Sequence, residues 1–106
     1  MTRALINVPK QAHTGEIIEI KAMIAHVMET GYRRDAGGAA IERNIINRFT
    51  CFYDGAEIFA AELFPAISAN PFIAFSTIAT KSGTIAFAWT DDKGNTETAT
   101  AEIKVV

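Results

Sequence analysis

Apolar and polar residues alternate with a period of two along most of the chain. From Glu16 to His26 the sequence EIIEIKAMIAH puts Ile18, Ile20, Ala22 and Ile24 on one face and Glu19 and Lys21 on the other. That pattern predicts a strand with one buried and one wet face. Ile45 to Tyr53 alternates in the same way, with Ile45, Phe49, Cys51 and Tyr53 together and Arg48 and Thr50 turned away. Asp54-Gly55 follows as a hairpin turn, and Glu57 to Leu63 reads as the returning strand. Phe72 to Ala79 is rich in aromatic and β-branched residues, and Thr84 to Thr90 alternates strictly with Ile85, Phe87 and Trp89 inward. DDKGN (Asp91 to Asn95) supplies turn chemistry. The last strand then sets Ala99, Ala101, Ile103 and Val105 against Thr98, Thr100, Glu102 and Lys104. The opening ALINV, cut off by Pro9, predicts a short first strand at a sheet edge.

About seven strands joined by short turns, with no helical period, predict an all-β fold, an immunoglobulin-like β-sandwich. A chain of 106 residues forms one domain, spanning 1–106, with Trp89 as a core anchor. Two segments break the rhythm. Val27 to Asn44 is a glycine-rich loop of about eighteen residues, long enough to suggest a functional role. Pro65 to Pro71 is a second loop, bracketed by prolines that cannot donate to a central ladder.

Composition narrows the function. With ten basic and twelve acidic side chains, the chain has no basic excess to neutralise phosphates, which excludes a nucleic-acid binder. No apolar run is long enough for a membrane-spanning helix. The start MTRALINVPKQ does not read as a secretory leader, so the expected location is cytoplasmic unless export is borrowed. The one cysteine, Cys51, excludes an internal disulfide and a multi-thiolate metal site.

HVMETGYRRD (His26 to Asp35) concentrates the candidate chemistry at the start of the long loop. A metal site would draw on His13, His26, Met28, Glu29 and Cys51. His13 and His26 lie near the two ends of one strand segment, far apart at ~3.3 Å per residue, and no ligand-type spacing appears. His26 therefore reads as a strand-end residue bonded to loop backbone, and no metal is expected. Cys51 shares a face with Phe49 and Tyr53, which predicts an inert core thiol. Arg33 and Arg34 have forks suited to oxyanions, but Asp35, Glu29 and Glu42 are interleaved with them. A protein-binding surface is the preferred reading of this loop, and an anion or sulfur-compound site on Arg33 and Arg34 is the alternative. In LFPAISANPF, the apolar Leu63, Phe64, Ile67 and Phe72 either cap the sandwich or form an exposed interface. No paired carboxylates, phosphate-cradling loop or Ser-His-Asp order stands out, so no catalytic residue and no cofactor is expected.

The segments RALINVP, HVMETGYRRD, INRFTCFYDG, LFPAISANPF and FAWTDDKG, in this order along the whole chain, resemble the SoxZ family. One departure is Val27, where the family often has proline, which loosens the turn after His26. The resemblance implies a non-enzymatic subunit that pairs with SoxY in the SoxYZ carrier of bacterial thiosulfate oxidation. SoxY holds the sulfur intermediates on a cysteine in a flexible C-terminal arm and offers them to other Sox enzymes. Cys51, in mid-strand, does not match that carrier position, and the ending AEIKVV carries no such arm. The resemblance also implies a periplasmic location reached by co-export with SoxY, and an apolar surface meant for SoxY would allow a homodimer when SoxY is absent. Loop placement and side-chain type make His26, Met28, Glu29, Tyr32, Arg33 and Arg34, with Leu63, Phe64, Ile67 and Phe72, the expected partner-binding residues.

Overall fold

Two sheets, antiparallel throughout except for one short parallel pairing, enclose a single core in the computed structural model, which describes residues 3–106. Met1 and Thr2, part of the expected domain and of the expected leaderless start, lie outside the described residues. The eight strands are β1 (Ala4–Asn7), β2 (Gln11–Ala12), β3 (Ile17–Ile24), β4 (Ile46–Tyr53), β5 (Ala56–Glu62), β6 (Phe72–Ile78), β7 (Gly83–Asp91) and β8 (Thr96–Val105). One sheet has the order β1-β3-β6 and the other β2-β8-β7-β4-β5. The all-β, immunoglobulin-like sandwich expected from the alternation is thus the observed fold.

The buried faces are those the alternation marks. Ile18, Ile20, Ala22 and Ile24 of β3 face Phe49, Cys51 and Tyr53 of β4 and Ile85, Phe87 and Trp89 of β7. Trp89 is 1 % exposed and tilts against Phe49 with ring centroids 5.3 Å apart. Phe59 of β5 stacks on Phe75 of β6 at 4.4 Å, which stitches the two sheets along the side where they are not hydrogen-bonded. Asp54 and Gly55 have φ of 49° and 85°, as the two-residue turn between β4 and β5 requires.

Two details differ from the alternation. The eighth strand, β2, is a two-residue parallel pairing of Gln11 and Ala12 with Lys104 and Val105, too short to show a period. At the start of β4 the register shifts between Ile46 and Arg48, so Ile45 and Ile46 are both buried. A bulge there moves Ile46 onto the inward face with Phe49, where strict alternation had placed Ile45.

Candidate functional site

The long loop, the proline-bracketed loop and the β7–β8 hairpin gather at one end of the sandwich. The loop leaves β3 through His26. The His26 amide donates to Asn70 Oδ1 at 2.9 Å, and the Asn70 amide donates to the His26 carbonyl at 2.7 Å. Asn70 has φ 53°, a left-handed conformation that asparagine tolerates better than most residues. The Met28 amide donates to His26 Nδ1 at 2.9 Å, so the neutral ring carries its proton on Nε2. Burial pushes the imidazole pKa down, against the opposing pull of Asp91.

Met28 then turns inward. Its φ is 56°, it is 4 % exposed, and its sulfur accepts the Ile46 amide at 3.2 Å. A left-handed methionine costs about 1–2 kcal/mol, offset here by its two hydrogen bonds and its burial. From Glu29 onward the loop folds into an irregular ribbon. Glu29 and Asn44 exchange backbone bonds at 2.9 and 2.8 Å, and Arg34 bridges to Ala40. Asp35 Oδ1 ties off the tip by accepting the amides of Gly37 and Ala39.

The charges that made this loop chemically interesting are largely spent within it. Arg33 forks onto both carboxylate oxygens of Glu29, which holds the Glu29 carboxyl below its ordinary pKa. Arg34 donates to the Gly38 carbonyl at 2.9 Å. Arg43 forks onto Asp92 at 2.8 and 3.1 Å, and Asp92 also accepts from the Ile45 amide and Asn47 Nδ2. The guanidinium and these donors hold the Asp92 carboxyl below its usual value. Asn70 and Asp92 therefore anchor the loop at its entry and exit, roles the sequence pattern does not disclose. The asparagine preceding Pro71 and the doubled aspartate of DDKGN were their available signals.

Between these anchors lies a cleft of about 740 Å³, with Arg3, His26, Glu29, Asn44, Asn70 and Lys93 among its lining. Asn44 Oδ1 is buried there without a hydrogen-bond partner among the described residues.

The ten expected contact residues divide by exposure. Tyr32 is 84 % exposed, Phe64 62 %, Phe72 59 % and Ile67 38 %, while Arg33 and Arg34 are exposed and Glu29 is half-buried. Met28, Leu63 and His26 are buried. Met28 is drawn in by its left-handed turn, Leu63 by its amide bond to the Asn47 carbonyl of β4, and His26 by the clasp of Asn70. His13 lies at the far end of β3 from His26, where its carbonyl accepts the Glu16 amide. Among the described residues no three His, Cys, Asp or Glu side chains gather as metal ligands. Cys51 is fully buried, and desolvation pushes its thiol pKa up to about 12.

A protein-family model described as "Sulphur oxidation protein SoxZ" matches residues 6–102. No curated protein matches the chain. Among solved structures, the superoxide reductase (neelaredoxin) of Ignicoccus hospitalis is similar with a TM-score of 0.76 and 18% identity, covering 100% of this chain and 81% of that one. The sulfur carrier protein SoxY of Chlorobium limicola f thiosulfatophilum is similar with a TM-score of 0.70 and 14% identity, also covering 100% and 81%. At such identities both likenesses concern the fold alone.

Proposed function

The chain belongs to the SoxZ family of sulphur oxidation proteins, and from that membership we propose that it is the non-catalytic half of a two-chain sulfur carrier. It binds a SoxY partner, whose own cysteine holds the sulfur intermediates of thiosulfate oxidation. It also helps present that cysteine to the Sox enzymes. The pair works in the periplasm, reached by co-export.

The observation that carries this reading is the state of Cys51. A sulfur carrier needs an accessible thiolate, because the thiolate is the nucleophile. The chain's one cysteine is enclosed by the core and its pKa lies far above neutrality. Any sulfur carried by a complex containing this chain must therefore ride on another chain's thiol. The exposed Tyr32, Arg33 and Arg34 on one loop and Phe64, Ile67 and Phe72 around the other supply aromatic, apolar and arginine side chains of the kind interfaces favour.

Co-expression with a SoxY partner tagged on one subunit tests the reading. A stable one-to-one complex is expected on size exclusion, and separate elution of the two chains overturns it. The anion-site alternative is opposed by the pairing of Arg33 with Glu29 and of Arg34 with Gly38. Calorimetric titration of the isolated chain with thiosulfate or sulfate distinguishes the two, since stoichiometric binding would favour the anion site.

A further inference from the structure

The four strand edges of the two sheets are not alike. β1 is four residues long and is ended by Pro9, and β2 is two residues long. β5 carries Glu57 and Glu62, and its pairing with β4 is broken by a bulge between Cys51 and Phe52. Short length, proline, charge and bulges are the devices that keep a sheet edge from pairing with another chain. β6 follows directly on Pro71 but carries none of them within its own span. Its sequence FIAFSTI is seven residues long, uncharged and paired with β3 in unbroken register.

The hydrogen-bond phase shows which groups β6 leaves open. The Pro71 carbonyl accepts the Ile24 amide, and the Ala79 amide donates to the Glu16 carbonyl. In an antiparallel ladder alternate residues face the same neighbour, so Ile73, Phe75 and Thr77 also bond to β3. Phe72, Ala74, Ser76 and Ile78 therefore turn their N–H and C=O groups to the free side. At the two ends of this row the Phe72 and Ile78 side chains are 59 % and 54 % exposed.

We propose that the open edge of β6 takes an extended strand of the SoxY partner, which continues the β1-β3-β6 sheet across the heterodimer. This deepens the reading of the chain as a SoxY-binding subunit and rests on it. The free groups are backbone donors and acceptors in strand spacing, so their natural complement is another strand. SoxY of Chlorobium limicola shares this fold and so has sheet edges to offer. Charge argues against a second copy of this chain as the occupant. β5 lies behind β6 through the Phe59–Phe75 stack and bears exposed Glu57 and Glu62, neither in an ion pair among the described residues. Two-fold pairing of β6 with itself would bring two acidic β5 edges together. The strand that fits is uncharged along its length, with a basic flank facing Glu57 and Glu62.

Amide hydrogen exchange on the co-purified complex tests this directly. In the isolated chain the amides of Phe72, Ala74, Ser76 and Ile78 should exchange fast and those of Ile73, Phe75 and Thr77 slowly. In the complex all seven should be protected. Ser76→Pro deletes one outward amide that the fold does not use, and Ser76→Lys places a charge on the edge without touching the backbone. Each should weaken the complex about tenfold or more, the scale of one or two lost hydrogen bonds. A complex that forms while the four edge amides stay fast, or that tolerates both variants, overturns the pairing and leaves the SoxY reading intact. Concentration-dependent protection of these amides in the lone chain assigns the edge to a second copy and overturns the proposed occupant. Failure to form any complex overturns both readings.

Discussion

Asn70 holds His26 at two points, accepting its amide through the side chain and donating to its carbonyl through the backbone. The two loops that break the strand rhythm are thereby joined where they begin and end. Because Asn70 also stands at φ 53°, its replacements separate two effects. Asn70→Asp keeps an acceptor and tolerates the backbone. Asn70→Gly keeps the backbone and loses the acceptor, and Asn70→Ala loses both. Destabilisation should rise in that order, reaching about 2 kcal/mol for alanine as a lost hydrogen bond and a left-handed penalty combine. Urea unfolding monitored by Trp89 fluorescence reads the order. Equal midpoints for the alanine and aspartate variants would refute the clasp.

Gly31 sits at φ 88°, and a Cβ there would stand 3.0 Å from Arg43 Cβ. The loop thus passes close to the residue that anchors its exit on Asp92. Gly31→Ala should cost about 1–2 kcal/mol from the left-handed backbone alone. It should also displace Arg43, so that chemical shifts of Asp92 and Asn47 move with those of the loop. A variant with wild-type stability and shifts confined to Tyr32 and Thr30 would show that this close approach carries no weight.

How much of this was legible in the sequence depends on how locally each feature is determined. β3, β7 and β8 were plain because every second residue along each is the more buried one, and the same alternation marked Cys51 as core beside Phe49 and Tyr53. β2 was hidden because two residues have no period, and the bulge after Ile46 because it breaks the rule used to read the strand. His26 as a strand-end residue bonded to loop backbone could be read from its position and agrees with its bond to the Met28 amide. Burial of Met28 could not be read, because it depends on a left-handed turn and on an amide eighteen residues away. The ion pairs of Arg33 and Arg43 illustrate the same limit. The interleaved acids promised partners, but only the fold selects Glu29 for one and the distant Asp92 for the other.

The thiol of Cys51 should be silent in the folded chain. It is fully buried, and its pKa of about 12 leaves almost no thiolate at neutral pH. Labelling with a thiol reagent at pH 8 should be negligible in buffer and should follow the unfolding transition in urea, because only the unfolded thiol is both exposed and acidic enough to react. Stoichiometric labelling of the native chain within minutes would contradict the buried assignment. It would also reopen the question of whether this chain can carry sulfur itself.

Acid should destabilise the protein in two separate steps. The pKa of His26 is lowered by burial, so below the ordinary histidine value of 6.5 the unfolded chain takes up a proton that the folded chain resists. The unfolded state then binds more protons, and stability falls as pH drops below that value. Glu29 and Asp92 are shifted down by Arg33 and Arg43 from ordinary values of 4.5 and 3.8. Their contribution is complete above those values and is lost as pH falls through the lower folded-state values. The urea midpoint should therefore decline between pH 7.5 and 5.5, and again below pH 4.5. His26→Asn keeps an acceptor near Nδ1 for the Met28 amide and removes the titrating ring. It should abolish the first decline and preserve the second. A wild-type midpoint that stays flat from pH 7.5 to 5.5, or a variant that keeps the same slope there, would mean that His26 is not held neutral by the fold.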